Sequence, residues 1–144
     1  GDTRFIDRVD PEGAPFEAMG IWDEIEALKS PTVPLGEGSM VIEATRVLVA
    51  VDVNTGSDFS PAAALKANLA TARELPRQLR LRGLGGKIVV DFAPLPKSAR
   101  RGVEDALKKA FRADPIETSL VGWTTLGLFE LQRKRERWPL KELV

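Results

Sequence analysis

Arg46-Val-Leu-Val-Ala-Val-Asp52 and Lys87-Ile-Val-Val-Asp91 are two short hydrophobic runs that each end on an aspartate. Rows of β-branched and aliphatic residues suit buried strands of a sheet covered on both faces. Open α/β sheets bind their ligands outside the carboxyl ends of the strands. Each run therefore delivers a carboxylate to the edge where ligands sit. On neighbouring strands, Asp52 and Asp91 can share one hard cation.

What the chain lacks narrows the chemistry further. It contains no His, no Cys and no Tyr. Hydrolase triads that need histidine, thiolate or imidazole zinc sites and histidine acid–base pairs are all excluded. Chemistry must come from carboxylates, Lys, Arg, hydroxyls or a metal held by oxygen. Oxygen ligands alone point to Mg²⁺, Mn²⁺ or Ca²⁺.

A length of 144 residues predicts one domain, or a domain with an appendage. With 43% hydrophobic and 29% charged residues, the composition is that of a globular protein. No run approaches the ~18 apolar residues of a membrane span, and no charged segment precedes an apolar one in the manner of a signal peptide. Without cysteine there is no disulfide framework, and a cytoplasmic location is the default.

The net charge of zero conceals a split. Residues 1–60 carry 12 acidic and 4 basic side chains, whereas residues 61–144 carry 9 and 17. Such asymmetry suggests a polyanion partner for the basic part or docking between the halves, while solvated helix faces would look the same.

Around the two runs, turn and cap signals divide the chain. The first dozen residues read as a terminal arm. Residues 20–29 read as a short amphipathic helix stopped by Pro31 and Pro34, with Gly36 and Gly38 supplying a turn. Met40–Ala44 and Val47–Asp52 read as a hairpin turning near Ala44–Arg46. Ser60 is a natural N-cap and Pro61 a natural first residue for a helix whose apolar face is Leu65, Leu69, Ala72 and Pro76, with a kink at Pro76. Arg73, Arg77 and Arg80 recur at helical spacing and form a cationic stripe. Gly83, Gly85 and Gly86 end the helix. They precede a strand, so they are not a nucleotide fingerprint. A second helix is expected over about 98–113, with Val103, Leu107 and Phe111 inward. Strands follow at 116–121 and 126–131, joined by a turn at Gly122-Trp-Thr-Thr125. The order β-β-α-β-α-β-β implies an α/β fold, a mixed β-sheet with flanking helices.

The segment Ala50-Val-Asp-Val-Asn-Thr-Gly56 resembles the signature of the ribonuclease E/G family of bacterial endoribonucleases. The likeness continues in Asn68-Leu-Ala-Thr-Ala and is strongest in Arg77-Gln-Leu-Arg-Leu-Arg-Gly-Leu-Gly-Gly86, followed by Ile-Val-Val-Asp-Phe92. It closes with Leu126-Gly-Leu-Phe-Glu-Leu-Gln-Arg-Lys-Arg135, and upstream Gly13-Ala-Pro-Phe-Glu and Val33-Pro-Leu-Gly-Glu-Gly-Ser also fit.

That resemblance implies a DNase I-like catalytic subdomain over residues 28–144. Residues 1–27 would be the end of an RNase H-like subdomain or an N-terminal arm. It also implies a catalytic Mg²⁺ held by Asp52 and Asp91, supported by Asn54, that activates water to cleave single-stranded RNA to 5′-phosphate and 3′-hydroxyl products. The implied partner is single-stranded RNA, with no membrane, and a homo-oligomer is compatible with it. Nothing in the chain resembles an S1 domain, a 5′-end sensor or the cysteine-containing zinc link of long members, as expected for a catalytic fragment or the C-terminal part of a short member. Two departures stand out. Asp91-Phe-Ala-Pro-Leu95 puts Pro94 where the family has a further acid, and the loop after Asn54 is a few residues shorter.

For each candidate a plainer role stands beside the sharper one. Asn54 is a support for the ligand carboxylates or a turn residue at the strand tip. Asp58 lies close in sequence but suits an Asx-turn. Arg73, Arg77 and Arg80 track a phosphate backbone or pair with the acidic first sixty residues. Arg133, Lys134, Arg135 and Arg137 are an RNA-facing cluster or a solvated tail. Trp22, Trp123 and Trp138 read as packing residues, with a stacking platform for a base as the other reading of Trp123. An endoribonuclease is the reading preferred. An RNA-binding or assembly module with little catalysis, and a metal-dependent DNA nuclease or phosphodiesterase, are its rivals.

Overall fold

The computed structural model describes residues 28–135. The chain divides into compact units Gly1–Pro31 and Thr32–Val144. The expected terminal arm, most of the helix at 20–29, and Trp22, Arg137 and Trp138 lie outside the described residues. In chain order the elements are β1 (Thr32–Leu35), β2 (Gly38–Ala44), β3 (Val49–Asn54), α1 (Pro61–Leu81), β4 (Gly86–Asp91), a 3₁₀ turn at Lys97–Ala99, α2 (Arg100–Arg112), β5 (Thr118–Trp123) and β6 (Phe129–Arg133). The strands form one sheet in the order β1-β2-β3-β4-β6-β5. β3 and β4 pair in parallel across the α1 crossover, and the other four pairings are antiparallel. The mixed α/β sheet with flanking helices is the fold expected.

One expectation about the sheet is corrected. Among the described residues, its central strands are covered by helices on one face, not two. Along β3, Val49, Val51 and Val53 are buried while Asp52 and Asn54 are exposed; along β4, Ile88 and Val90 are buried while Lys87 and Asp91 are exposed. The buried set joins Met40, Ile42, Phe129 and Leu131 with the inward residues of α1 and α2 in one core. Half-buried Ala50 and Val89 gave the open face its apolar look in the sequence. The period of two is present, but small aliphatic residues on the outer face mask it.

Val103, Leu107 and Phe111 anchor α2 as expected. For α1 the cap is as read: Ser60 Oγ accepts from the Ala63 N–H at 3.2 Å, and Pro61 opens the helix. Its buried face meets the expected one in part: Ala72 and Pro76 are buried and Leu69 packs against the core. Leu65 is exposed, and Ala64, Ala67, Asn68, Thr71, Ala72, Leu75 and Leu79 turn inward. Small residues in the first turns bring the helix axis close to the sheet, so bulk gives way to fit. Pro76 is buried within a helix that continues to Leu81.

Three further differences have local causes. β1 contains Pro34, read as a breaker; on an edge strand paired only with β2, the missing N–H costs no ladder bond. The β2–β3 hairpin turns over Thr45–Leu48, where the Thr45 N–H bonds the Leu48 carbonyl at 2.8 Å. Gly122 was read as a turn glycine but lies inside β5. The register jumps from Leu120 to Gly122 opposite β6, so Val121 is an inserted bulge residue and the turn moves to Thr124–Gly127.

Candidate functional site

The parallel pairing of β3 and β4 sets Asp52 directly beside Asp91. Adjacent strands lie about 4.8 Å apart, and in-register residues of a parallel pair face the same side. Both carboxylates therefore stand on the open face at the carboxyl ends of their strands. Asp52 and Asp91 are the residues that would hold a hard dication here, with oxygen ligands of the kind it prefers. Electrostatics record the closeness: Asp91 is held above the ordinary carboxylate value, first by partial burial and then by the negative charge of Asp52. Two like charges made neighbours by backbone pairing are a donor set that a dication fits. Among the described residues, no group of three or more His, Cys, Asp or Glu is disposed to hold a metal ion.

Asn54 lies two residues beyond Asp52, exposed on the same face and opposite Ser39 of β2. The loop that follows is seated by two glycines. A Cβ on Gly38 would come within 2.5 Å of the Asn54 carbonyl oxygen, and one on Gly56 (φ +85°) within 2.6 Å of the Glu37 carbonyl oxygen. The β1–β2 turn and the loop leaving β3 thus approach closely at the carboxylate end. Asp58 belongs to this loop as an Asx-turn. Its Oδ1 accepts the Ser60 N–H at 2.9 Å, which lowers its pKa below the ordinary value.

The expected basic groups are placed elsewhere. Arg73, Arg77 and Arg80 are exposed on α1, which covers the face opposite the carboxylates. Arg77 pairs with Glu74 at 2.8 Å, and Arg80 pairs with Asp114. Both of these partners lie in the basic part of the chain. Arg133, expected in an RNA-facing cluster, is 1% exposed. Its Nη1 donates to Asp114 Oδ2 at 2.9 Å and to Thr118 Oγ1 at 3.0 Å, and its guanidinium lies over Phe111. Lys134 and Arg135 are exposed just after β6. Because Arg133 stands opposite Gly86, that end of the sheet is about 17 Å from Asp91, five steps along β4.

Basic residues with no motif to mark them lie at the carboxylate end instead. Lys97, Arg100 and Arg101 open the 3₁₀ turn and α2 just after β4 has ended. Lys97 and Arg101 are exposed; the Arg100 guanidinium is 4.6 Å from the Trp123 ring centroid. The only signal in the sequence was position, since a strand-to-helix connection returns to the end that the strand has reached. Trp123 is a packing residue: its ring meets Phe92 and Phe129 at centroid separations of 5.7 and 5.1 Å, and its Nε1 donates to Glu104.

A family model described as "Ribonuclease E/G family" matches residues 3–136. The chain is 43% identical over 126 residues to ribonuclease E of Nostoc sp., covering 82% of this chain and 18% of that protein. It is 41% identical over 130 residues to a chloroplastic ribonuclease E/G-like protein of Arabidopsis thaliana, covering 85% of this chain and 13% of the relative. With ribonuclease G of Escherichia coli K12 the identity is 32% over 135 residues, 90% of this chain and 28% of that protein. The chain thus spans less than a third of the length of these relatives. The family model covers nearly the whole chain and the relatives are 32–43% identical, so the chain belongs to the ribonuclease E/G family.

Proposed function

We propose that this chain is the catalytic subdomain of a Mg²⁺-dependent endoribonuclease that cleaves single-stranded RNA. The observation that carries the proposal is the in-register pairing of Asp52 with Asp91 at the carboxyl ends of adjacent parallel strands. The names of the relatives, which are ribonucleases, support RNA as the substrate.

Asp52 and Asp91 would hold the cation, and Asn54, which cannot ionise, would orient a carboxylate or a water through its amide. Bound there, Mg²⁺ supplies charge neutralisation at the phosphodiester and lowers the pKa of a coordinated water. The open face gives a flexible single strand access to the carboxylates without displacing any element of the core. Lys97 and Arg101, exposed just after the strand that carries Asp91, would meet phosphates of a bound strand. The chain's own residues bring charge and metal affinity but few groups to clamp a strand in line, and such positioning is worth roughly 7–11 kcal/mol. Weak, salt-sensitive cleavage is therefore expected of these 144 residues alone.

The test is a Mg²⁺ titration of the chain with a short single-stranded RNA, reading binding and cleavage for the parent, Asp52→Asn and Asp91→Asn. Cleavage is expected to require Mg²⁺ and to vanish in both variants. Cleavage that survives both substitutions would refute the site. A second reading, an RNA-binding or assembly module without catalysis, is favoured by Pro94, which follows β4 where the family has a further acid. Mg²⁺-independent RNA binding with no cleavage by the parent chain would select it.

A further inference from the structure

Asn68, in the second turn of α1, is completely buried, and the reading of the carboxylates above gives it no role. Its side-chain amide pairs with one backbone residue across the core. Asn68 Nδ2 donates to the Ala93 carbonyl at 3.0 Å, and the Ala93 N–H donates to Asn68 Oδ1 at 2.8 Å. Ala93 is 2% exposed and lies two residues beyond Asp91.

The ladder explains why Ala93 needs such a partner. β4 pairs with β6 as far as Val90 and with β3 as far as Asp91. Beyond that point neither neighbour supplies a register partner, yet Phe92 and Ala93 remain buried. Unpaired backbone groups in that position would cost about 1–3 kcal/mol each. Pro94 holds the preceding residue extended, and an extended residue presents its N–H and C=O along the same edge, as in a hydrogen-bonded antiparallel pair. One primary amide can then satisfy both groups. Asn68 does this from the helix layer, in place of a strand.

We infer that Asn68 is a positioning residue for the metal-binding carboxylate of Asp91, acting through the backbone of Ala93. Asp91 sits between two fixed points, the ladder that ends on it and the amide clamp two residues later. Without the clamp, Asp91 becomes the frayed last residue of β4, and its carboxylate loses its fixed place beside Asp52. A helix face chosen for close approach thus also holds the exit of the strand that carries the ligand.

The inference rests on the proposed carboxylate site, and the experiment separates the two. Mn²⁺, in place of Mg²⁺, is titrated into the full chain and followed by electron paramagnetic resonance, below the melting temperature of every variant. The variants are Asn68→Ala, Asp91→Asn and Gln78→Ala, the last a buried polar residue of the same helix remote from β4's exit. Asn68→Ala is expected to weaken Mn²⁺ binding about tenfold, at the lower end for residues that orient metal ligands, with cleavage restored by raised Mg²⁺. Gln78→Ala is expected to bind like the parent. Parental affinity in Asn68→Ala, or an equal loss in Gln78→Ala, overturns the inference and leaves the carboxylate site standing. A parent no better than Asp91→Asn overturns the site, and the inference with it. Should Asn68→Ala fail to fold, amide hydrogen exchange of the metal-free parent decides: Ala93 protected like Val90 supports the clamp, and Ala93 exchanging like the loop amide of Gly56 overturns it.

Discussion

Asp52 and Asp91 are neighbours because backbone pairing makes them so, and as bare carboxylates they repel. Like charges directly across a sheet are destabilising, by about 0.2–1 kcal/mol. Asp91 is correspondingly held above the ordinary carboxylate value, so the folded chain binds its proton more tightly than the unfolded chain. Stability contributed by this group is therefore lost as pH rises from the ordinary value through the raised one. In metal-free protein at pH 7, Asp91→Asn should raise the melting temperature by about 1–4 °C while abolishing divalent-ion binding. Calorimetry in chelator checks this, and the gain should disappear below the ordinary carboxylate range. Arg133 is the reverse case, a charge kept for the fold. It shares a wholly buried ion pair with Asp114, and removing one partner of such a pair typically costs 3–5 kcal/mol. Urea unfolding should show a loss of about that size for Arg133→Ala, and a change within about 0.5 kcal/mol for exposed Lys134→Ala.

The element that links sheet and site is α1. Its start was legible, because Ser60 and Pro61 are local signals whose chemistry does not depend on the rest of the fold. Asp58 steadies the same turn by accepting the Ser60 N–H. Ser60→Ala should cost about 1 kcal/mol in chemical unfolding, with faster amide exchange confined to the first turn of α1. The inward face of the helix was legible only in part: Ala72, Pro76 and Leu69 meet the core as read. Leu65 outweighs Ala64 and Asn68 on any hydrophobic scale, but close helix–sheet approach favours the small side chains, and Asn68 is needed for the unpaired end of β4. Gly122 misled for a related reason: a glycine marks unusual backbone, and only the partner strand shows whether that backbone is a turn or a bulge.

Among the described residues, the basic groups weighed for RNA are divided between the two ends of the sheet and the outer surface of α1. Lys97 and Arg101 follow the strand that carries Asp91, Lys134 and Arg135 lie at the far end, and Arg77 and Arg80 are engaged in ion pairs on the helix layer. Affinity for a single strand falls with salt by a slope of about 0.7 per neutralised phosphate. Lys97→Ala with Arg101→Ala should reduce that slope by about 1.4 if each meets one phosphate. Arg77→Ala with Arg80→Ala should leave the slope unchanged and lower stability. Fluorescence anisotropy of a labelled RNA over a salt series, with melting curves alongside, checks both outcomes. An unchanged slope in the first pair would show that RNA approaches by another route.

Short-range chemistry in the sequence determined the α/β class, the hairpin, the cap of α1, the inward face of α2 and the two strand-end aspartates. Each of these depends on the period of a strand or helix, or on a cap within a few residues. The exclusion of histidine, cysteine and tyrosine chemistry needed no structure at all. Tertiary structure alone decided that Asp52 and Asp91 share a register, because pairing between strands separated by a 21-residue helix is a long-range choice made by the whole core. It also decided that Arg133 is buried, since a basic run looks alike whether it ends a strand over an aspartate or trails into water. The role of Asn68 lay beyond the sequence for the same reason: the backbone it satisfies is 25 residues away, and its need for a partner exists only where the ladder of β4 runs out.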